Sequence, residues 1–268
     1  MKINSLFKAG LATLILASSS NVFAIEAKDV MQKSHDVKKP AFTMSAVQMD
    51  LFEKGGALQE SRQLKQYGRD KNDLTSMVMV FLSPASVKDT RFLVSENPGD
   101  AADDKFIYMP SLKQTRRIAT SDGSKSFVGT DASYDDMSSR DVNEDNHEFV
   151  NGEEAVEKNG YKCWVVKSTP KDPSSSQYLY RINYIDQNTN YPIYTEMYDK
   201  KGKLLKTLTL EKLEKKTGVT GVEYDIPMQE YMKNVQSGHA TRLKIVNIKL
   251  DSAIPDRVFT QNFLSTGK

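Results

Sequence analysis

Residues 43–82 read TMSAVQMDLFEKGGALQESRQLKQYGRDKNDLTSMVMVFL. Residues 43–53 alternate, with Val47, Met49 and Leu51 on one face, which is the period of a half-buried β-strand. Lys54-Gly55-Gly56 then reads as a hairpin turn, and 57–67 as a second, more polar strand. The third run, 74–82, differs in kind. One face carries Leu74, Val78, Val80 and Leu82, and the other carries Met77, Met79 and Phe81. A strand apolar on both faces is buried on both, or turns one of them to a ligand.

The same pattern continues toward the C-terminus. Residues 91–94 and 105–109 form a hairpin across 97–100, and 112–118 reads as a short strand. Residues 122–145 are polar and turn-rich and interrupt the series. Strands resume at 148–150. Asn159-Gly160 is a two-residue hairpin signal between 153–158 and 161–168. Residues 177–186, 194–198, 204–213 and 241–250 follow as strands. Pro227 suits the first turn of a helix, so 227–234 is expected to be helical. About eleven strands with regular turn signals indicate a sandwich or barrel of antiparallel hairpins. No internal repeat or linker divides the chain.

Toward the N-terminus, residues 25–36 show a helical pattern with Asp29 early and Lys33 and His35 late, an order that suits the helix dipole. Residues 1–24 read as a secretory signal peptide. Lys2 and Lys8 make the basic region, 9–17 the apolar region, and Val22-Phe-Ala24 the cleavage site. One domain, 25–268, is expected to remain, soluble after cleavage in the periplasm of a Gram-negative cell. No cysteine follows the cleavage site for a lipid anchor.

The formal charge of +2 includes Lys2 and Lys8, so the expected mature chain is close to neutral. It lacks the clustered basic footprint of a nucleic-acid binder. Cys163 is the one cysteine, in an apolar run, and is expected to be a buried small hydrophobe. His35, His147 and His239 are too scattered for a zinc site. Residues 141–152 start like a calcium loop with Asp141, Asn143 and Asp145, but carry Asn146 and Gly152 where glycine and glutamate are needed. An exposed acidic loop is expected there. No Gly-x-Ser-x-Gly elbow or phosphate loop is present. Neither an enzyme nor a cofactor or metal is therefore expected. Met44, Met49, Met77, Met79 and Met109 are adaptable thioethers, suited either to a ligand surface or to a core. Met49, Met77, Met79, Phe81 and Met109 are the cavity candidates.

Three stretches resemble the outer-membrane lipoprotein-sorting proteins of the LolA-like superfamily. They are 106–118 (FIYMPSLKQTRRI, with Pro110, Arg116 and Arg117), 126–136 (SFVGTDASYDD, with Phe127, Gly129 and Asp131) and the tail 254–264. The resemblance is collinear over roughly residues 26–265. It implies an incomplete antiparallel β-barrel, open on one side, with short helices over its mouth and an apolar cavity for acyl chains. It further implies a monomeric periplasmic carrier shuttling lipid or lipoprotein between membranes, with an inner-membrane transporter of the resistance-nodulation-division (RND) type as a partner. A sensor or adaptor of the same fold, binding a membrane partner, is the alternative. Arg116 and Arg117 are equally suited to pairing with acids at a strand end. Asp131 is placed to cap a short helix at 134–137.

Overall fold

The alternation at 43–53 is realised as a strand whose every second residue is buried from Ser45 to Leu51. The computed structural model describes residues 25–98 and 101–268. The expected signal peptide, 1–24, lies outside the described residues, as do Gly99 and Asp100 of the turn expected at 97–100. Helix α1 (Ala27–His35) precedes β1 (Phe42–Phe52), β2 (Leu58–Lys71), β3 (Leu74–Ser83), β4 (Arg91–Ser95), β5 (Asp104–Met109) and β6 (Gln114–Arg117). A long crossover leads to β7 (Asp145–Phe149), β8 (Val156–Lys158), β9 (Tyr161–Pro170), β10 (Tyr180–Asp186), β11 (Pro192–Tyr198), β12 (Leu204–Thr217), β13 (Glu223–Asn234) and β14 (Ala240–Leu250). Helix α2 (Gln261–Thr266) follows.

These fourteen strands form one unclosed antiparallel sheet, in the order β6-β5-β4-β3-β2-β1-β14-β13-β12-β11-β10-β9-β7, with β8 also on β9. The expected half-barrel is therefore present, with more strands than the eleven or so anticipated. Two meanders meet at the centre, where β1 pairs with β14. Local turn chemistry sets the hairpins. Asn159 and Gly160 both hold positive φ, 52° and 81°, the requirement of a two-residue turn that matches strand twist.

The helix expected at 227–234 is instead the C-terminal part of β13. Tyr224, Ile226 and Met228 are buried in alternation, a period-two signal that outweighs the helix-start signal of Pro227. Pro227 is tolerated because β13 meets β14 only through Gln229–Lys233, and because Pro227 lies beside a register shift with β12. The second helix is α2, which the sequence pattern did not indicate. Thr260 caps it by accepting from the Phe263 N–H at 3.2 Å.

Strand β3 is buried on both faces by two different parts of the chain. Val78, with Leu93 of β4, packs under the C-terminal residues Ile254, Val258, Phe259 and Leu264. Met79 and Phe81 pack under the crossover, with Val47, Met49, Leu51, Leu64, Phe92 and Ile107. We call this second face the inner face. At the far end of the sheet α1 covers it, seating Ala27 and Val30 on Val166 and Ile185.

Candidate functional site

Topology forces a chain segment across the inner face. Strands β6 and β7 lie at opposite ends of the sheet, so the connection between them has to traverse it. This crossover is the polar, turn-rich stretch seen in the sequence, and it is ordered by three one-turn 3-10 helices, Thr120–Asp122, Asp135–Met137 and Val142–Glu144. Its apolar side chains plug the apolar half of the floor. Phe127 sits 4.9 Å from Phe92 and 5.8 Å from Tyr134, ring centre to ring centre, with edge-to-face packing.

Polar latches fix the crossover to the sheet. Lys206 of β12 reaches Asp136 at 3.1 Å, and both side chains are 8 % exposed. Asp136 also accepts from the Ser133 N–H and Oγ and from the Tyr178 hydroxyl. Burial pushes the Asp136 carboxyl up, but Lys206 and the Ser133 donors outweigh it and hold it below the usual carboxylate range. Thr241 of β14 donates to Asp131 at 2.8 Å and accepts the Asp131 N–H at 3.0 Å. Arg62 of β2 is buried, pairs with Glu60, and donates to the Val128 carbonyl at 2.6 Å.

The sequence candidates divide accordingly. Met49, Met79 and Phe81 are 2 % exposed or less, brought together beneath Phe127 and Tyr134, while Met77 and Met109 pack at the edge of the same cluster. Pro110 opens the turn after β5, where Lys113 N–H binds its carbonyl. Arg117 is exposed and pairs with Asp104 at 2.7 Å, the strand-end pairing anticipated for it. Arg116, also exposed, lies beside the Tyr134 hydroxyl, whose pKa burial raises and Arg116 opposes. Phe127 is core. Gly129 holds φ 78°, which lets the chain turn beside Arg62. Asp131 does not cap a helix. It is spent on Thr241, and Ser133 with Asp136 orders the following turn. The loop at 141–145 exposes Asp141, Asn143 and Glu144, as expected of an acidic loop, but it is ordered and Asp145 turns inward. Asp141 caps the third 3-10 turn in a reciprocal capping box with Glu144. Asp145 is buried and pairs with Arg140 at 2.8 Å. Among the described residues no group of three His, Cys, Asp or Glu side chains is arranged to hold a metal.

Between the crossover and α1 the inner face stays partly uncovered. Register places Leu208, Glu230, Met232 and Leu243 side by side on β12, β13 and β14, all half-buried. Beyond them, toward α1, the floor turns polar. Thr195 Oγ1 donates to Asn183, and Asn183 donates to Ser168 at 3.0 Å, all three buried. The inner face is thus apolar and methionine-rich under the crossover, hydrogen-bonded across Thr195, Asn183 and Ser168, and apolar again where α1 seats on Val166 and Ile185. Two concavities flank it. A polar groove of about 640 Å³ runs between α1 and residues 223–225, lined by Asp29, Gln32, Lys33 and Tyr224. A pocket of about 220 Å³ sits where Gly129 and Asp131 meet Leu51 and His239.

Sequence reasoning missed Arg62, Lys206 and Glu230. Their signal was available. Each is a charged residue at a position where the period-two pattern of its strand calls for an inward side chain.

Comparison with known proteins places this architecture. A family model described as "Uncharacterized protein" matches residues 73–266. No curated protein matches the sequence. A domain from Vibrio parahaemolyticus described as outer membrane lipoprotein-sorting superposes with a TM-score of 0.79 at 24 % identity, covering 89 % of this chain and 98 % of that one. A DUF1329 family protein from Desulfovibrio piger gives 0.79 at 24 % identity, covering 89 % and 97 %. A LolA superfamily protein from Nitrosomonas europaea gives 0.65 at 19 % identity, covering 90 % and 100 %. These likenesses establish the fold.

Proposed function

The chain belongs to the family whose model spans its residues 73–266 and has the LolA-superfamily fold, and from that premise we propose a periplasmic carrier for the acyl chains of lipid or lipoprotein. One observation carries this reading. The apolar floor of the half-barrel is closed by a crossover held through a few discrete latches, not by further strands. Displacing the crossover would uncover Met49, Met77, Met79, Phe81 and Met109 as one surface continuous with Leu243 and Met232. The magnitudes are balanced. Burying an acyl chain contributes ~0.8 kcal/mol per methylene, so a ten-carbon stretch contributes ~8 kcal/mol. Withdrawing Phe127 and Tyr134 from the floor costs ~2–3 kcal/mol each, before the latches are counted. With the Lys206 and Arg62 latches at ~4–8 kcal/mol more, a chain of roughly 10–18 carbons is needed to displace the crossover, so long chains are captured and short ones are not.

The proposal includes a signal-directed route to the periplasm, a monomeric carrier, and exchange with an inner-membrane transporter of the RND type. Among the described residues no helix is long and apolar enough to cross a membrane. The test is uptake of a dansyl-labelled long-chain alcohol by delipidated protein, with lipid extraction of the protein as purified. Saturable uptake together with co-purifying lipid is expected. Absence of both refutes the carrier. A second reading, a sensor or adaptor, is favoured by the aromatic outer face, where Tyr180 stacks on Tyr198 at 4.5 Å and Tyr184 meets Tyr194 at 5.5 Å. Cross-linking to a membrane protein with an empty cavity would support it over the carrier.

A further inference from the structure

Among the described residues Glu230 is the acidic side chain that the register sets into the half-uncovered strip between Leu208, Met232 and Leu243, and its surroundings are unsuited to a charge. Directly across the two neighbouring strands stand Leu210 and Leu243. Two residues away along β13, on the same face, stand Met228 and Met232. Its neighbours Gln229 and Tyr231 point the other way, where Gln229 binds Glu211 and Tyr231 packs beneath Arg242. Among the described residues the Glu230 carboxyl has no hydrogen-bond or ion-pair partner. It nevertheless keeps accessible surface, being half-buried. Burial alone, with no neighbouring charge, raises its pKa. The carboxyl is thus largely desolvated and still reachable from the uncovered strip.

A carboxyl set in an apolar frame costs stability unless it is paired, and pairing is what this one lacks. No structural role accounts for it. Its position is informative as well, because β13 lies between the apolar floor of β1–β5 and the hydrogen-bonded patch of Thr195, Asn183 and Ser168 on β9–β11. An amphiphile lying along the floor puts its chain on the methionine side. Its first polar group then falls at β13.

We propose that Glu230 is the polar anchor of this half-uncovered strip and selects amphiphiles that carry an O–H or N–H donor where the chain meets the head group. The inference rests on the carrier reading and narrows its cargo. A chain ending in an ether or a bare methyl leaves the carboxyl unpaired. A chain ending in an anionic carboxylate sets like against like. A hydroxyl, amide or amine satisfies it.

The experiment uses the full mature chain loaded with diphenylhexatriene, a reporter without donors. The reporter is displaced by dodecan-1-ol or by its methyl ether, which has the same chain and no donor. For wild type, the alcohol is expected to displace the reporter at about tenfold lower concentration than the ether. Glu230→Gln, which retains an acceptor, is expected to keep most of that ratio. Glu230→Leu is expected to bring the ratio to about one while still binding the reporter, since leucine suits the apolar frame. An unchanged ratio in Glu230→Leu, or a wild-type ratio near one, overturns the anchor and leaves the carrier standing. Failure of wild type to take up the reporter at all overturns the cavity itself, and the anchor with it.

Discussion

Replacing Lys206 by methionine tests whether the crossover is held by specific polar latches. The substitution keeps the length of the side chain and removes its charge. Asp136 is then left as a buried carboxylate with Ser133 and Tyr178 as its remaining donors. Breaking one side of a buried pair costs ~3–5 kcal/mol, and the surviving donors argue for the lower end. With a urea m-value of ~2–3 kcal/mol/M, the midpoint is expected to fall by ~1–1.5 M at pH 7. The pH dependence is the sharper readout. In the wild type the folded Asp136 pKa is depressed, so its stabilisation is complete above the unfolded value of ~3.9 and is lost as pH falls through the lower folded value. In the variant, burial acts without its main opponent and the folded pKa rises. Protonation then relieves the penalty as pH falls, and the gap between the two proteins narrows from pH 7 toward pH 4.5. A deficit below ~1 kcal/mol at pH 7, or one equal at both pH values, would refute the latch.

Arg62→Met removes the donor to the Val128 carbonyl and is expected to cost ~1–3 kcal/mol, while speeding entry of a fluorescent fatty acyl probe in stopped-flow mixing. Phe127→Ala takes out a side chain 1 % exposed, packed on Phe81, Phe92 and Tyr134, and should lower stability by ~3–5 kcal/mol in urea titration. Cys163 is fully buried, and burial pushes its thiol up to about 11. Ellman's reagent at pH 8 should therefore label it only after denaturant is added, and rapid labelling of native protein would contradict the packing.

The strands were readable because antiparallel sheets with one covered face write their burial into every second residue. Val47, Met49 and Leu51 show this directly. Residues 74–82 announced double burial but not its cause, since the covering segments come from residues 120–137 and 254–264, far away in sequence. The same non-locality hid the latches. Lys206 and Arg62 stand out as charges at inward positions of their strands, but their partners show only once the crossover lies over them. The error at 227–234 had a local origin, because Pro227 and the short run after it carry a helix-start signal. The competing alternation began upstream, at Tyr224. Glu230 escaped for the opposite reason. It has no partner anywhere, so no pairing pattern could reveal it, and only its position between Leu210 and Leu243 does.

The central seam between β1 and β14 has a consequence for the order of assembly. Thr43 pairs with Leu250, and the Ala41 N–H reaches Asp251 across 210 residues of chain. A polypeptide arriving N-terminus first can fold β1–β6 into a meander, but one edge of β1 stays open until nearly the last residue is delivered. Closure over such separations is slow, because the loop entropy is spent before the contact forms. The molecule therefore remains unfinished through vectorial synthesis, until the last strand is delivered. Loss of the final thirty or so residues would remove the strand that joins the two meanders and leave two unjoined halves, each with a bare edge ready to pair with a stranger.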